Sequence, residues 1–60
     1  MSITTKELKV LDDLIKNEQV LIKKLRFFAD QTSDANMKTK YEQIAVRHQN
    51  HIDTLMQFMN

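Results

Sequence analysis

The stretch "DQTSDAN" (residues 30–36) decides the fold, because it is where an otherwise sustained helical pattern lapses. The chain has no Gly and no Pro, so neither of the two residues that most strongly interrupt regular structure occurs anywhere in it. Ser33 or Asp34 can cap a second helix, since a short side-chain oxygen accepts hydrogen bonds from free backbone N–H groups. The sequence therefore predicts an all-α chain with a first helix over about 5–31, a turn over about 32–34 and a second helix over about 35–58.

The segment before the turn has a heptad pattern. Thr4 followed by Glu7 has the spacing of a capping box, which predicts that the first helix begins there. Its apolar seam alternates three- and four-residue steps and is interrupted once, at Glu18, which is typical of packed helices and not of a strand. The seam residues are Leu8, Leu11, Ile15, Ile22, Leu25 and Ala29, with Leu14, Leu21 and Phe28 beside them at every seventh position.

The segment after the turn repeats this pattern in reverse. Its predicted seam is Met37, Tyr41, Ile44, His48, His51, Leu55 and Phe58, widened by Ala45, Ile52 and Met59. A turn centred near Ser33 gives an antiparallel hairpin in which Glu18 faces His48, with His51 one turn further along. The three polar seam residues are thus predicted to form one layer in the middle of the hairpin.

The chain is short, and this predicts a partner. Sixty residues allow a single domain, 1–60, and the absence of Cys excludes disulfides. A chain of this size buries only about 60% of its unfolded surface. Both apolar stripes are wider than one partner helix can cover, so we expect a homodimer that forms a four-helix bundle. A further set of apolar residues is predicted to lie on the outer surface: Val10, Val20, Phe27 and Val46.

Charge and hydropathy exclude several classes of function. The formal net charge is +1, with nine basic and eight acidic residues of mixed position, which does not favour binding to nucleic acid or to an anionic membrane. No apolar run approaches the roughly 20 residues of a membrane span. The N-terminal "MSITTKEL" lacks the regions of a secretory signal, so we expect cytoplasmic synthesis without a signal peptide.

The predicted layer of Glu18, His48 and His51 has three interpretations. A hydrogen-bonded polar layer can fix the register and the choice of partner helix. The same residues are ordinary metal ligands, and facing helices of a bundle are a common place to hold a metal. A His–Glu pair can also act as a general base, although the pattern supplies neither a nucleophile nor oxyanion donors.

Two long segments resemble the spore coat protein F family of endospore-forming bacteria. They are "NEQVLIKKLRFFADQT" (residues 17–32) and "YEQIAVRHQNHIDTLMQFM" (residues 41–59), and the resemblance extends from about Thr5 to Asn60. It implies a ferritin-like hairpin of the rubrerythrin-like superfamily, a structural role in the spore coat, and other coat proteins as partners. It implies no established catalysis, so we expect a structural protein and not an enzyme.

The resemblance also bears on the metal. Ferritin-like sites take a lone Glu from two helices and a Glu-x-x-His from the other two. Glu18 matches the lone Glu and His51 the His, but His48 stands where the second Glu is expected. A symmetric dimer would offer two carboxylates and four imidazoles, a set that suits Zn, Cu or Ni at least as well as Fe. A metal-binding or redox protein is therefore the alternative function, and an adaptor hairpin for another helical protein is a third.

Overall fold

The computed structural model describes residues 3–59, which form two α-helices joined by a short turn. Helix α1 is Thr5–Gln31 and helix α2 is Ala35–Gln57, with no strand in this range. The Cα atoms extend over 47 × 15 × 10 Å, the dimensions of two helices lying side by side. The predicted all-α two-helix hairpin is confirmed. Of the predicted domain, Met1, Ser2 and Asn60 lie outside the described residues.

The ends of both helices are fixed by side-chain caps. At the start of α1 the Thr4 N–H donates to Glu7 Oε1 at 3.0 Å, and the Glu7 N–H donates to Thr4 Oγ1 at 3.1 Å. This is the predicted capping box. At the start of α2 an Asp34 carboxylate oxygen accepts from the N–H groups of Asn36 and Met37, at 2.9 and 3.1 Å. Of the two predicted caps, Asp34 therefore performs the role and Ser33 does not.

The core lies along one seam between the helices. Its buried members are Ile15, Ile22, Leu25 and Ala29 on α1, and Ala45 and Ile52 on α2. Tyr41 and Leu55 are half-buried against them. The predicted seam of α1 is thus confirmed in its middle and at its turn end, whereas Leu8 near its start is exposed.

The predicted seam of α2 is partly wrong, because the helix is turned slightly about its axis, so that two of the predicted seam residues are replaced by their neighbours in sequence. Ala45 and Ile52, expected at the edge of the seam, are its most buried residues at 1% and 2% exposure. Ile44 and His51, expected in the seam, are exposed. The small Ala45 side chain explains the rotation, since it lets the two helices approach closely where Ile44 would hold them apart. Met37 and Phe58 were also expected in the seam and are exposed as well.

The hairpin has two different faces beside this seam. One, the polar face, is mainly polar but includes the exposed Val46; its polar residues are Gln19, Lys23, Arg26 and Asp30 of α1 and Glu42 and Gln49 of α2. The other, the apolar face, presents exposed apolar residues at seven-residue spacing: Leu14, Leu21 and Phe28 on α1, and Met37, Ile44 and Phe58 on α2, with His51 in the same row. A contact between the Phe28 and Tyr41 rings, with centroids 5.9 Å apart, links the α1 row of this face to the seam near the turn. Neither helix within residues 3–59 is both long and apolar enough to span a bilayer.

Candidate functional site

The structure brings Glu18, His48 and His51 together at the middle of the hairpin. Glu18 is the central residue of α1, and His48 faces it from α2. His48 Nδ1 lies 2.5 Å from Glu18 Oε2. Because an ionised carboxylate only accepts hydrogen bonds, the imidazole is the donor in this contact, through Nδ1–H. The contact links the centres of the two helices and fixes their relative position along the seam.

His51 completes the layer on the side of the apolar face. Its Nδ1 lies 3.8 Å from Glu18 Oε2, which is too long for a hydrogen bond. The His48 and His51 rings meet edge to face, with centroids 5.2 Å apart. The His51 side chain is 53% exposed, whereas the other two side chains of the layer are mostly covered. The layer therefore begins inside the seam and opens onto the apolar face.

The layer replaces one apolar level of an otherwise apolar seam. On α1, Glu18 lies between the buried residues Ile15 and Ile22, and on α2, His48 lies between Ala45 and Ile52. A carboxylate among aliphatic side chains requires a strong partner, since an uncompensated polar group in such a place is costly. The Nδ1–H of His48 supplies that partner. This hydrogen bond sets Glu18 and His48 at the same level of the hairpin and does not require a metal.

The same atoms also fit the ligand set of a transition metal. One ligand atom from each of Glu18, His48 and His51 can be chosen so that all lie within 4.8 Å of one another, and no other such cluster occurs among residues 3–59. One carboxylate oxygen and two imidazole nitrogens are typical ligands of zinc and of its neighbours in the first transition series. The layer contains a His–Glu pair that could act as a general base, but it contains neither a hydroxyl nor a thiol that could act as the nucleophile. The catalytic interpretation therefore gains no support from the layer.

A second feature, an apolar groove at the open end of the hairpin, was not predicted from the sequence. Its lining includes Ile3, Val10 and Leu11 beside Leu55 and Phe58, and its volume is about 720 Å³. Val10 was expected on the outer surface; it is exposed there, and it also lines this groove. The seven-residue step from Ile3 to Val10 was the available signal. The groove continues the apolar face to the open end.

Comparison of the chain with protein families, with curated proteins and with solved structures finds no match. The resemblance to the spore coat protein F family therefore stays a prediction. Two features of the chain itself bear on its function: the central polar layer and the apolar face.

Proposed function

We propose that this chain is a structural assembly subunit whose hairpins pair through the apolar face into a homodimeric, ferritin-like four-helix bundle. The observation that carries the proposal is the asymmetry of the hairpin, which is polar on one side of its seam and apolar along the other. Phe28 at the turn end and Phe58 at the open end are 50% and 64% exposed. An exposed apolar surface of this extent is typical of an interaction site.

The size of the apolar face suits a pair of hairpins. The two longest dimensions of the described chain, 47 and 15 Å, define a face of roughly 700 Å², close to the roughly 800 Å² that each partner buries in an interface of standard size. Pairing two hairpins would surround their apolar faces with four helices, an arrangement in which each helix packs against two neighbours. The stripe on each helix is wide enough for that arrangement.

The position of the polar layer favours a second copy as the partner. His51 interrupts the apolar face at the level of Glu18, the centre of α1. A twofold axis near that level places apolar residues against apolar residues toward both ends, and one polar layer against the other. A different apolar partner would leave His51 against aliphatic side chains. The net charge of +1 gives little repulsion between copies.

Thiol protection tests which face is covered, because the chain has no Cys of its own. The matched variants are Ile44→Cys on the apolar face and Val46→Cys two residues away, both at exposed positions of α2. We expect the rate of maleimide alkylation of Ile44→Cys to fall as protein concentration rises, while that of Val46→Cys stays constant. Equal rates for the two variants at every concentration would contradict pairing through the apolar face.

The spore coat is proposed as the place of this assembly, and the resemblance of the two long segments to the spore coat protein F family supports that proposal. Fractionation of spores from an endospore-forming host that expresses the tagged chain during sporulation tests it. We expect the chain in the coat fraction. Recovery from the spore core alone would contradict a coat role while leaving the pairing of hairpins untouched.

A further inference from the structure

Pairing of the hairpins creates a problem at His51. Its imidazole is 53% exposed in the single hairpin and lies in the row of apolar residues that a second copy would cover. Its Nδ1 is 3.8 Å from Glu18 Oε2, so no hydrogen bond to that oxygen offsets the loss of water. Burying a polar group without a partner destabilises the buried state. A ligand bound by His51 would remove that cost.

The geometry around His51 identifies the class of ligand. Glu18 Oε2 lies 2.5 Å from His48 Nδ1 and 3.8 Å from His51 Nδ1. One ligand atom from each of the three residues can be chosen so that all lie within 4.8 Å of one another. Ligands of a tetrahedral zinc ion are separated by about 3.3 Å, which follows from metal–ligand distances of about 2.0 Å. An ion that replaces the hydrogen bond between His48 Nδ1 and Glu18, with the ring proton of His48 moved to Nε2, would contact all three ligand atoms after small side-chain rotations.

The donor set selects among metals. Two neutral imidazoles and one carboxylate favour Zn²⁺, Cu²⁺ or Ni²⁺ over Mg²⁺ and Ca²⁺, which take mainly oxygen ligands. Three ligands from one hairpin leave the fourth position of a tetrahedral ion open toward the apolar face. In a pair of hairpins that position would be enclosed between the two layers.

We infer that Glu18, His48 and His51 bind one such transition metal ion per hairpin, and that binding of the ion strengthens pairing of the hairpins. The inference deepens the proposed function and rests on it, because the linkage requires that the apolar faces pair. Its physical basis is that pairing covers His51, and covering His51 destabilises the dimer less when its imidazole is bound to the ion. A ligand that binds the dimer more tightly than the monomer must shift the equilibrium toward the dimer.

A composition-matched swap provides the control. His51→Asn combined with Asn50→His keeps two imidazoles on α2 but moves one of them a single position around the helix, away from Glu18. Tag-free protein treated with chelator is titrated with Zn²⁺ by calorimetry, and its self-association is measured by sedimentation equilibrium with and without Zn²⁺. We expect one Zn²⁺ per chain, a tighter dimer with Zn²⁺, and at least about a tenfold loss of Zn²⁺ affinity in the swap variant.

The outcomes separate the inference from the proposed function. A dimer that binds no stoichiometric Zn²⁺, Cu²⁺ or Ni²⁺, or a swap variant that binds Zn²⁺ as tightly as the wild type, would overturn the metal site and leave pairing intact. Stoichiometric Zn²⁺ bound to a chain that stays monomeric at every concentration would overturn the linkage and the proposed function together. A dimer dissociation constant unchanged by bound Zn²⁺ would overturn the linkage alone.

Discussion

Substitution of Leu21 by Glu should dissociate the proposed dimer, whereas the same substitution at the adjacent Val20 should not. Leu21 lies in the middle of the apolar face and is 37% exposed in the hairpin. Val20 is 51% exposed but belongs to neither the seam nor the apolar face. The two variants, Leu21→Glu and Val20→Glu, introduce the same charge at neighbouring positions of α1. They differ in the surface that receives it.

The expected magnitude follows from the exposure of Leu21. Fully burying a Leu side chain is worth about 1.5–3 kcal/mol, so the remaining third contributes about 0.5–1 kcal/mol per copy when the hairpins pair. Two copies lose about 1–2 kcal/mol, and desolvation of the two new carboxylates adds at least about 2 kcal/mol. The dimer dissociation constant of Leu21→Glu should therefore rise by roughly a hundredfold to a thousandfold. Val20→Glu should change it by less than about threefold, as expected for a surface substitution.

Sedimentation equilibrium measures both dissociation constants, and far-ultraviolet circular dichroism at high concentration confirms that each variant remains helical. Helix propensity does not separate the variants in the expected direction, since Glu is at least as good a helix former as Val and close to Leu. Equal dissociation constants for Leu21→Glu and Val20→Glu would refute the assignment of the interface to the apolar face. So would a strongly dissociated Val20→Glu beside an unaffected Leu21→Glu.

Three further predictions concern stability. The melting temperature of the wild type should rise with protein concentration in circular dichroism melts, because the proposed pairing would stabilise the folded chain, and a melting temperature independent of concentration would contradict pairing. Asp34→Ala removes the acceptor for the N–H groups of Asn36 and Met37, so urea titration should show a loss of about 1 kcal/mol; no loss would refute the cap. Hydrogen bonds from Thr4, its side chain first and its backbone N–H second, hold the pKa of Glu7 below its usual value of 4.5. The stability that this adds is present above pH 4.5 and is lost as pH falls through the lowered pKa, so melts should show an advantage of wild type over Glu7→Gln at pH 7 that disappears in acid. An advantage that persists in acid would contradict the assignment.

The hairpin could be predicted from sequence because its signals are local. The Thr4–Glu7 spacing and the lapse of the apolar pattern around Asp34 each involve a few neighbouring residues, and both caps occur in the structure. Glu18 and His48 were predicted to be opposed because each interrupts its seam at the same distance from the turn. The positions of Glu18 and His48 relative to the turn are enough to predict that they face each other.

The rotation of α2 could not be predicted in the same way. A row through Ile44 and His51 and a row through Ala45 and Ile52 share Tyr41, His48 and Leu55, and both alternate three- and four-residue steps. Hydropathy favours the first row, since Ile is more apolar than Ala. The structure follows the second, because close packing against α1 depends on side-chain volume at the contact. That quantity belongs to the pair of helices and not to either sequence segment alone.

This rotation changes the functional interpretation of the layer. The sequence placed Glu18, His48 and His51 together inside the seam, whereas the structure keeps the first two there and turns His51 toward the apolar face. A histidine at the boundary between the seam and the apolar face would be covered if the hairpins pair as proposed. Glu18 and His48 thus hold the two helices in register, whereas the proposed effect of metal on pairing depends on His51.

The mass of the wild-type chain in solution tests the central claim most directly. Sedimentation equilibrium of tag-free protein over a wide range of concentrations, in the presence and absence of chelator, is the measurement. We expect a limiting mass of twice the 7.1 kDa chain mass at high concentration. Zn²⁺ should shift the midpoint of the monomer–dimer transition to lower protein concentration. A mass of 7.1 kDa at every concentration, with or without Zn²⁺, would contradict that claim.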